Sequence, residues 1–410
     1  MTSTKSNSTK LIQKLIIIVL AITPLFSLQE SLALLLDSGK YVVNTSNVLT
    51  SVYIKGLKDL FFLLIIFTSF LMILKTFSMK RISALLLGII LVFILLPAFY
   101  YQDDILVYLS GVRWLMPFIL LVFLIGHIDE KLLNKIGTIL FYLFILHFFV
   151  QLAQLLFSYG HFGLNRFGLS SRNPGLFYIP STAAVFAILV LFFSKFYMDN
   201  NLEKKIQLLI PISVFLTASG TGIGIYVIFM IIYYLKRNLV PFLPLFLILV
   251  GGILILSLDF LSGRSGLVAH SLGPRLEILI DVILNGTFLP EGFGYGTATA
   301  ALISNKFDLS FAMITTDSWY ASIFVNLGII NSLIIVMSQI IIFIMLTRSK
   351  DKEKLLFLTI YSLFALTTPI AESYPANLIF ACLLAHYIQL RTTCSLKADD
   401  VKYKTLDQNQ

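Results

Sequence analysis

Charge is scarce in this chain of 410 residues: 12% are Asp, Glu, Lys or Arg, 58% are hydrophobic, and the mean hydropathy is +0.91. A soluble domain carries about a quarter charged residues, so a water-exposed globule is excluded. Cysteine is nearly absent. Cys382 and Cys394 supply neither a disulfide framework nor a thiolate cage, and no His, Asp and Glu cluster has metal-ligand spacing. The glycine-rich run near residue 292 lacks the strand-then-helix context of a dinucleotide fold. The chain shows no internal repeat. The apolar run at the N-terminus lacks a small-residue cleavage site, and we read it as a retained first span.

What the sequence has instead is apolar runs of bilayer-crossing length from end to end. They define an all-α integral membrane protein, a single polytopic domain over 1–410. We place twelve candidate spans at 15–36, 57–74, 82–100, 105–125, 136–157, 176–196, 206–218, 222–235, 240–260, 317–346, 355–371 and 376–390. "TASGTGIG" (217–224) breaks one long apolar run into two short paired segments. The stretch 317–346 is long for one crossing, so its start is expected to tilt or to follow the interface.

The net charge of +9 could suggest nucleic acid, but the basic residues sit in short loops between spans. "KTFSMKR" (75–81), "KFYMDNNLEKK" (195–205), "KR" (236–237) and "RSKDKEK" (348–354) all fall on one side when both termini are cytoplasmic, as the positive-inside bias requires. A cytoplasmic tail follows at 391–410. Two outer loops remain: a smaller one at about 158–175, and a large one at about 261–316 that is expected to contain short helices.

The large loop carries "GPRLEILIDVILNG" (273–286), with Pro274 at a first helical position and Gly286 at a C-terminal cap. Its apolar stripe of Leu276, Leu279, Ile280 and Ile283 suits the bilayer surface or the bundle. Glu277 and Asp281 share a face. Arg275 stands in the first turn, where the helix dipole disfavours a cation unless an anion is near. "LPEGFGYGTATA" (289–300) follows; its Gly292, Gly294 and Gly296 suit a tight loop with close backbone approach, and Glu291 is a candidate acid or base. Next, "TTDSWYASIFVNLGIINSL" (315–333) enters the membrane. Asp317 suits a helix cap or a base at a cavity mouth, and Trp319 and Tyr320 suit interfacial anchors. Arg113 lies within a span, where an arginine is costly and faces a partner or a cavity. The outer face holds Arg166, Arg172, Arg264 and Arg275, and Arg113 is expected to reach towards it from within the span. The planar guanidinium fork suits phosphate, so Arg172 could hold an anionic headgroup while Pro174, Gly175 and Pro180 shape the backbone beneath it.

In order along the chain, "RNPGLFYIPSTAA", "SGTG", "GPRLEIL…LPEGFGYG" and "DSWYASIFVNLGII" resemble the pattern of the Wzy-type O-antigen and capsular polysaccharide polymerases, relatives of the O-antigen ligases. The resemblance covers roughly 165–335. It implies a membrane glycosyltransferase at the outer face of the cytoplasmic membrane, extending an undecaprenyl-diphosphate-linked glycan with inversion. It also implies no cofactor, metal or nucleotide sugar, with a chain-length regulator and a flippase as partners. The family's two outer-loop arginines match Arg172 and Arg275. They are expected to neutralise the diphosphate leaving group, with Asp317, then Glu291 and Glu277, as the carboxylate that orients or deprotonates the attacking hydroxyl. Arg113, Arg166, Arg264, Gly292, Gly294, Gly296 and Tyr320 are expected to contact substrate. Ligases tend to carry a histidine where this chain has Asp317, which favours polymerase over ligase. A lipid-linked oligosaccharide flippase is the rival from another class, but flippases are built from repeated helical halves, and no repeat is present here.

Overall fold

The computed structural model describes residues 7–22, 24–25, 52–76, 105–157, 173–177, 179–234, 280–284, 293–297, 318–347 and 351–389. Among them the regular structure is entirely helical. The expected spans 82–100 and 240–260, most of the large outer loop and the tail 391–410 lie outside the described residues.

The helices are α1 (Asn7–Ile22), α2 (Val52–Thr76), α3 (Ile105–Leu124), α4 (Glu130–Phe157), α5 (Pro180–Phe196), α6 (Asn200–Ile206), α7 (Leu209–Leu216), α8 (Gly220–Tyr234), α9 (Trp319–Thr347), α10 (Lys352–Thr367) and α11 (Ala376–Gln389). Three stretches, Val107–Leu124, Glu130–Leu156 and Trp319–Ile341, are long and apolar enough to cross a membrane. The protein is membrane-embedded, since a water-soluble bundle has no use for such lengths of apolar helix.

α5 is the hub, packed against α4, α7, α8 and α10, with every residue from Thr182 to Ser194 buried. A helix that is apolar all round belongs inside. Lipid tails are as apolar as leucine, so close backbone approach must supply much of the packing energy. α5 therefore presents Ala183, Ala184 and Ala187, and Gly222 of α8 lies so close that a Cβ there would stand 2.3 Å from the Cβ of Ala184. Opposite ends of three helices are tied at one carboxylate. Glu353, in the first turn of α10, accepts hydrogen bonds from the hydroxyls of Tyr197, just past α5, and Tyr387 of α11.

Punctuation follows local chemistry. α5 begins at Pro180, four residues later than the apolar run suggests, because Gly175 turns the chain with φ +61 and proline takes the first helical position. The break expected at "TASGTGIG" is present: Ala218 has φ +46 and separates α7 from α8. The expected span 206–218 is instead the short helices α6 and α7, with Gln207 and Leu208 keeping helical dihedrals between them. Pro211 explains that seam, since it has no N–H for the carbonyl of Gln207.

α9 is folded sharply. Gly328 sits at φ 71, ψ 171, and the hydroxyl of Ser332 donates to the carbonyls of both Ile323 (3.0 Å) and Gly328 (2.6 Å). In a straight helix positions 323 and 332 would be about 13 Å apart along the axis. The first part of α9, through Leu327, is buried, whereas Ile330, Leu333, Ile334, Met337 and Ile341 beyond the turn are exposed. The extra length noted at 317–346 is thus a half-helix set into the protein, followed by a peripheral helix.

Candidate functional site

Two short loops, one directly after Arg172 and one carrying Gly294 and Gly296, are both held by buried polar side chains of membrane helices.

The first is Asn173–Pro174–Gly175–Leu176–Phe177, all buried. α4 presents His147, Gln151 and Gln154 to it, at helical spacing i, i+4, i+7. The side-chain amide of Gln154 pairs with Gly175 in both directions: Oε1 accepts from the Gly175 N–H (2.7 Å) and Nε2 donates to its carbonyl (3.1 Å). Gln151 Nε2 donates to the carbonyl of Asn173 (2.9 Å) and its Oε1 accepts from Ser213 Oγ (2.6 Å). The Asn173 N–H donates to the carbonyl of Leu216 (3.0 Å), at the end of α7. His147 Nδ1 accepts from the Leu176 N–H (3.1 Å), so the ring proton sits on Nε2. The imidazole packs between Phe177 and Phe186, 5.4 and 5.3 Å from their ring centroids. A Cβ on Gly175 would lie 2.4 Å from that ring. Glycine is required here twice over, by the positive φ and by the close approach.

The second loop, Phe293–Gly294–Tyr295–Gly296–Thr297, is wedged between α3 and the buried half of α9. Asn326 Oδ1 accepts from the N–H groups of both Gly294 (2.9 Å) and Gly296 (3.1 Å). Ser322, one turn earlier, donates to the carbonyl of Gly296 (2.7 Å) and accepts from Asn326 Nδ2 (3.1 Å). On the α3 side, Ser110 lies 3.1 Å from the hydroxyl of Thr297. Gly294, at φ +103, comes so close to α3 that a Cβ would stand 2.1 Å from the Val107 carbonyl oxygen. The close backbone approach expected of these glycines is made to α3 and α9, and the amides of Gly294 and Gly296 are engaged by Asn326.

α3 joins this loop to the intramembrane arginine. One turn past Ser110, Arg113 Nε lies 3.0 Å from Asp59 Oδ2 of α2, with the two side chains 25% and 21% exposed. Arg113 has the partner that its cost demands. Lys58, beside Asp59, stands 5.7 Å above the ring of Tyr374. The next residue of α3, Trp114, meets Trp319 at 4.4 Å between ring centroids, and Phe118 stacks on Trp319 at 5.0 Å. Trp319 is therefore fully buried and is not the interfacial anchor its position suggests, because the half-helix that carries it points into the bundle. Tyr320 is half-buried and lines a cavity.

Of the sequence candidates, Arg113, Gly294, Gly296 and Tyr320 are described; α3 and the buried half of α9 bring them together. Arg166, Arg172, Arg264, Arg275, Glu277, Glu291, Gly292 and Asp317 lie outside the described residues. Arg172 directly precedes the anchored Asn173, and Asp317 directly precedes Ser318, which is buried. Within the helix expected at 273–286, residues 280–284 are helical; Val282 is buried while Ile280 and Ile283 of the apolar stripe are exposed. Among the described residues no three His, Cys, Asp or Glu side chains converge.

Sequence reasoning passed over the polar supports. "HFFVQLAQ" (147–154) and "SIFVN" (322–326) each place polar residues at helical spacing within apolar sequence, and that signal was available. Asp59 had no such mark. Compared with known protein families, curated proteins and solved structures, the chain has no match.

Proposed function

We propose that this protein is a membrane glycosyltransferase that polymerises undecaprenyl-diphosphate-linked repeat units into O-antigen, capsular or exopolysaccharide at the outer face of the cytoplasmic membrane. It would have about twelve spans, cytoplasmic termini and no metal requirement. The observation that carries the reading is the buttressing of both motif loops. The segments next to Arg172 and around Gly294 and Gly296 are held by buried amides and hydroxyls of membrane helices (Gln151, Gln154, Asn326, Ser322). Rigid support of this kind suits a preorganised site rather than a spacer.

Arg172 and Arg275 bind the diphosphate and neutralise the charge that grows on it as the anomeric carbon–oxygen bond breaks. The hydroxyl of the acceptor sugar attacks the opposite face of that carbon, so the configuration inverts. A carboxylate, Asp317 before Glu291 or Glu277, orients the hydroxyl and takes its proton. Arg166, Arg264 and Tyr320 line the substrate path. Arg113, paired with Asp59, sets a charged group beside the glycine loop. A flippase delivers the substrate and a chain-length regulator acts with the enzyme.

The test is polymerisation by purified protein in lipid, supplied with the lipid-linked repeat unit, with and without Arg172→Ala and Arg275→Ala. A ladder of longer lipid-linked glycans that both substitutions abolish is the expected result. Movement of the substrate between leaflets without a ladder would make the protein a transporter. Transfer of glycan to a different acceptor would make it a ligase.

A further inference from the structure

The turn at Gly328 has a second effect. It swings the rest of α9 outward and leaves a cavity of about 410 Å³ between that part of α9 and helices α3, α10 and α11. Among its walls are Leu121, Tyr320, Ile334, Tyr361, Asn377 and Leu384. It runs along α11 from Asn377 to Ile388, a rise of about 16 Å. The volume is close to three times the ~150 Å³ that holds a benzene-sized molecule.

The chemistry of the lining excludes water as the natural occupant. Its walls are overwhelmingly aliphatic and aromatic, and two of its few polar side chains are already paired. Asn377 Nδ2 donates to the Ala371 carbonyl (2.8 Å), and Ser338 donates to the Ile334 carbonyl (2.7 Å). Gln339 Nε2 is buried without a partner among the described residues. A stable internal water needs two to four polar partners, and an apolar void stays dry. The polar groups are also unevenly placed. Ser318, two residues before Tyr320, reaches the Ala365 carbonyl near the end of α10 (3.4 Å), and residues 368–375 turn the chain from there into α11, whose second residue is Asn377, so Tyr320, Ser362 and Asn377 lie towards that turn. Leu384 and Ile388 mark the other end. The side formed by Ile334 and Ile340 is the protein's own surface, where these residues are 48% and 44% exposed, so entry is from lipid.

We propose that this cavity holds the hydrocarbon chain of a membrane lipid, with the lipid's polar head beside Tyr320 and Asn377. Two sources share that chemistry, the isoprenoid chain of a polyprenyl phosphate and the acyl chain of a phospholipid. The isoprenoid source rests on the polymerase reading; the chain site does not.

The experiment uses the full chain in phosphatidylcholine nanodiscs with two photoreactive probes. One is a polyprenyl phosphate and the other a phosphatidylglycerol, each with a diazirine on its chain. Adducts are mapped by mass spectrometry, and folding is checked by size exclusion. Labelling is expected on the cavity-facing positions of 334–340 and 377–388. Ala381→Phe fills space now open to the chain, and displacing two methylenes lowers labelling by roughly tenfold. Leu121→Phe serves the same purpose should Ala381→Phe not fold, and Ile344→Phe, on the exposed face, leaves labelling unchanged. The probe that labels identifies the source. Adducts confined to exposed positions, or labelling that neither filling substitution lowers, overturn the proposal. Cavity labelling in a protein that makes no glycan ladder upholds the chain site and removes the polymerase reading. A ladder without cavity labelling does the reverse.

Discussion

The hydroxyl of Ser332 and the carbonyl of Ile323, nine residues apart on α9, stand 3.0 Å from each other. That contact is possible only because Gly328 takes a conformation that other residues avoid. A half-helix held inside a membrane protein leaves backbone carbonyls without helical partners, and a serine is well placed to satisfy them. Gly328→Ala forces a Cβ into that conformation and is expected to cost on the order of 1–3 kcal/mol. Thermal unfolding in detergent would show the loss, and Ser332→Ala should show a smaller one.

Gln154 pairs with both backbone groups of Gly175. Gln154→Leu keeps the bulk and removes both bonds, at about 1–3 kcal/mol for each buried group left unpaired. Gly175→Ala drives a Cβ into the His147 ring. Both variants should lower the apparent melting temperature, and in the polymerisation assay both should lose glycan ladder with Arg172 untouched.

Asn326 holds two amides of the glycine loop with one oxygen. Asn326→Leu leaves both without an acceptor and should abolish the glycan ladder. Asn326→Asp keeps an acceptor for both amides but loses the donation to Ser322 and adds a buried carboxyl, so it should retain part of the ladder that the leucine variant loses. Equal loss in both would show that the paired amides are not what matters.

Arg113 and Asp59 join α3 to α2 through a partly buried ion pair. Removing one partner strands a charge among apolar helices, which costs more than removing both. Arg113→Leu and Asp59→Leu should each lower stability, and the double substitution should recover part of the loss. A thermal-stability double-mutant cycle measures that coupling directly.

His127, in the turn between α3 and α4, lies 3.4 Å from the Thr9 hydroxyl, and its carbonyl accepts from Gln13 of α1 (2.8 Å). Burial lowers its pKa below the ordinary 6.5. The unfolded chain therefore binds this proton more readily than the folded one, and stability rises with pH across that interval. Its contribution is present above pH 6.5 and is lost as the pH falls through the lowered value. Melting temperature measured from pH 7.5 downward should drop below 6.5, and His127→Gln should flatten the drop.

The sequence by itself determined the membrane class and the break at 217–220. Apolar runs of this length have no other stable place. That break follows from backbone chemistry that glycine carries locally. It also marked Arg113 as a residue in need of a partner. Tertiary structure decided which partner. Nothing in "KGLKDL" (55–60) distinguishes Asp59 from an interfacial carboxylate until α2 packs on α3. It likewise decided that Trp319 is buried, that the amides of Gly294 and Gly296 turn to Asn326, and that α9 folds at Gly328 to open a cavity. Helical periodicity shows that a face exists, not which neighbour it meets. A polar group in an apolar helix needs a partner, and here those partners lie tens to hundreds of residues away, where only the packed chain brings them within reach.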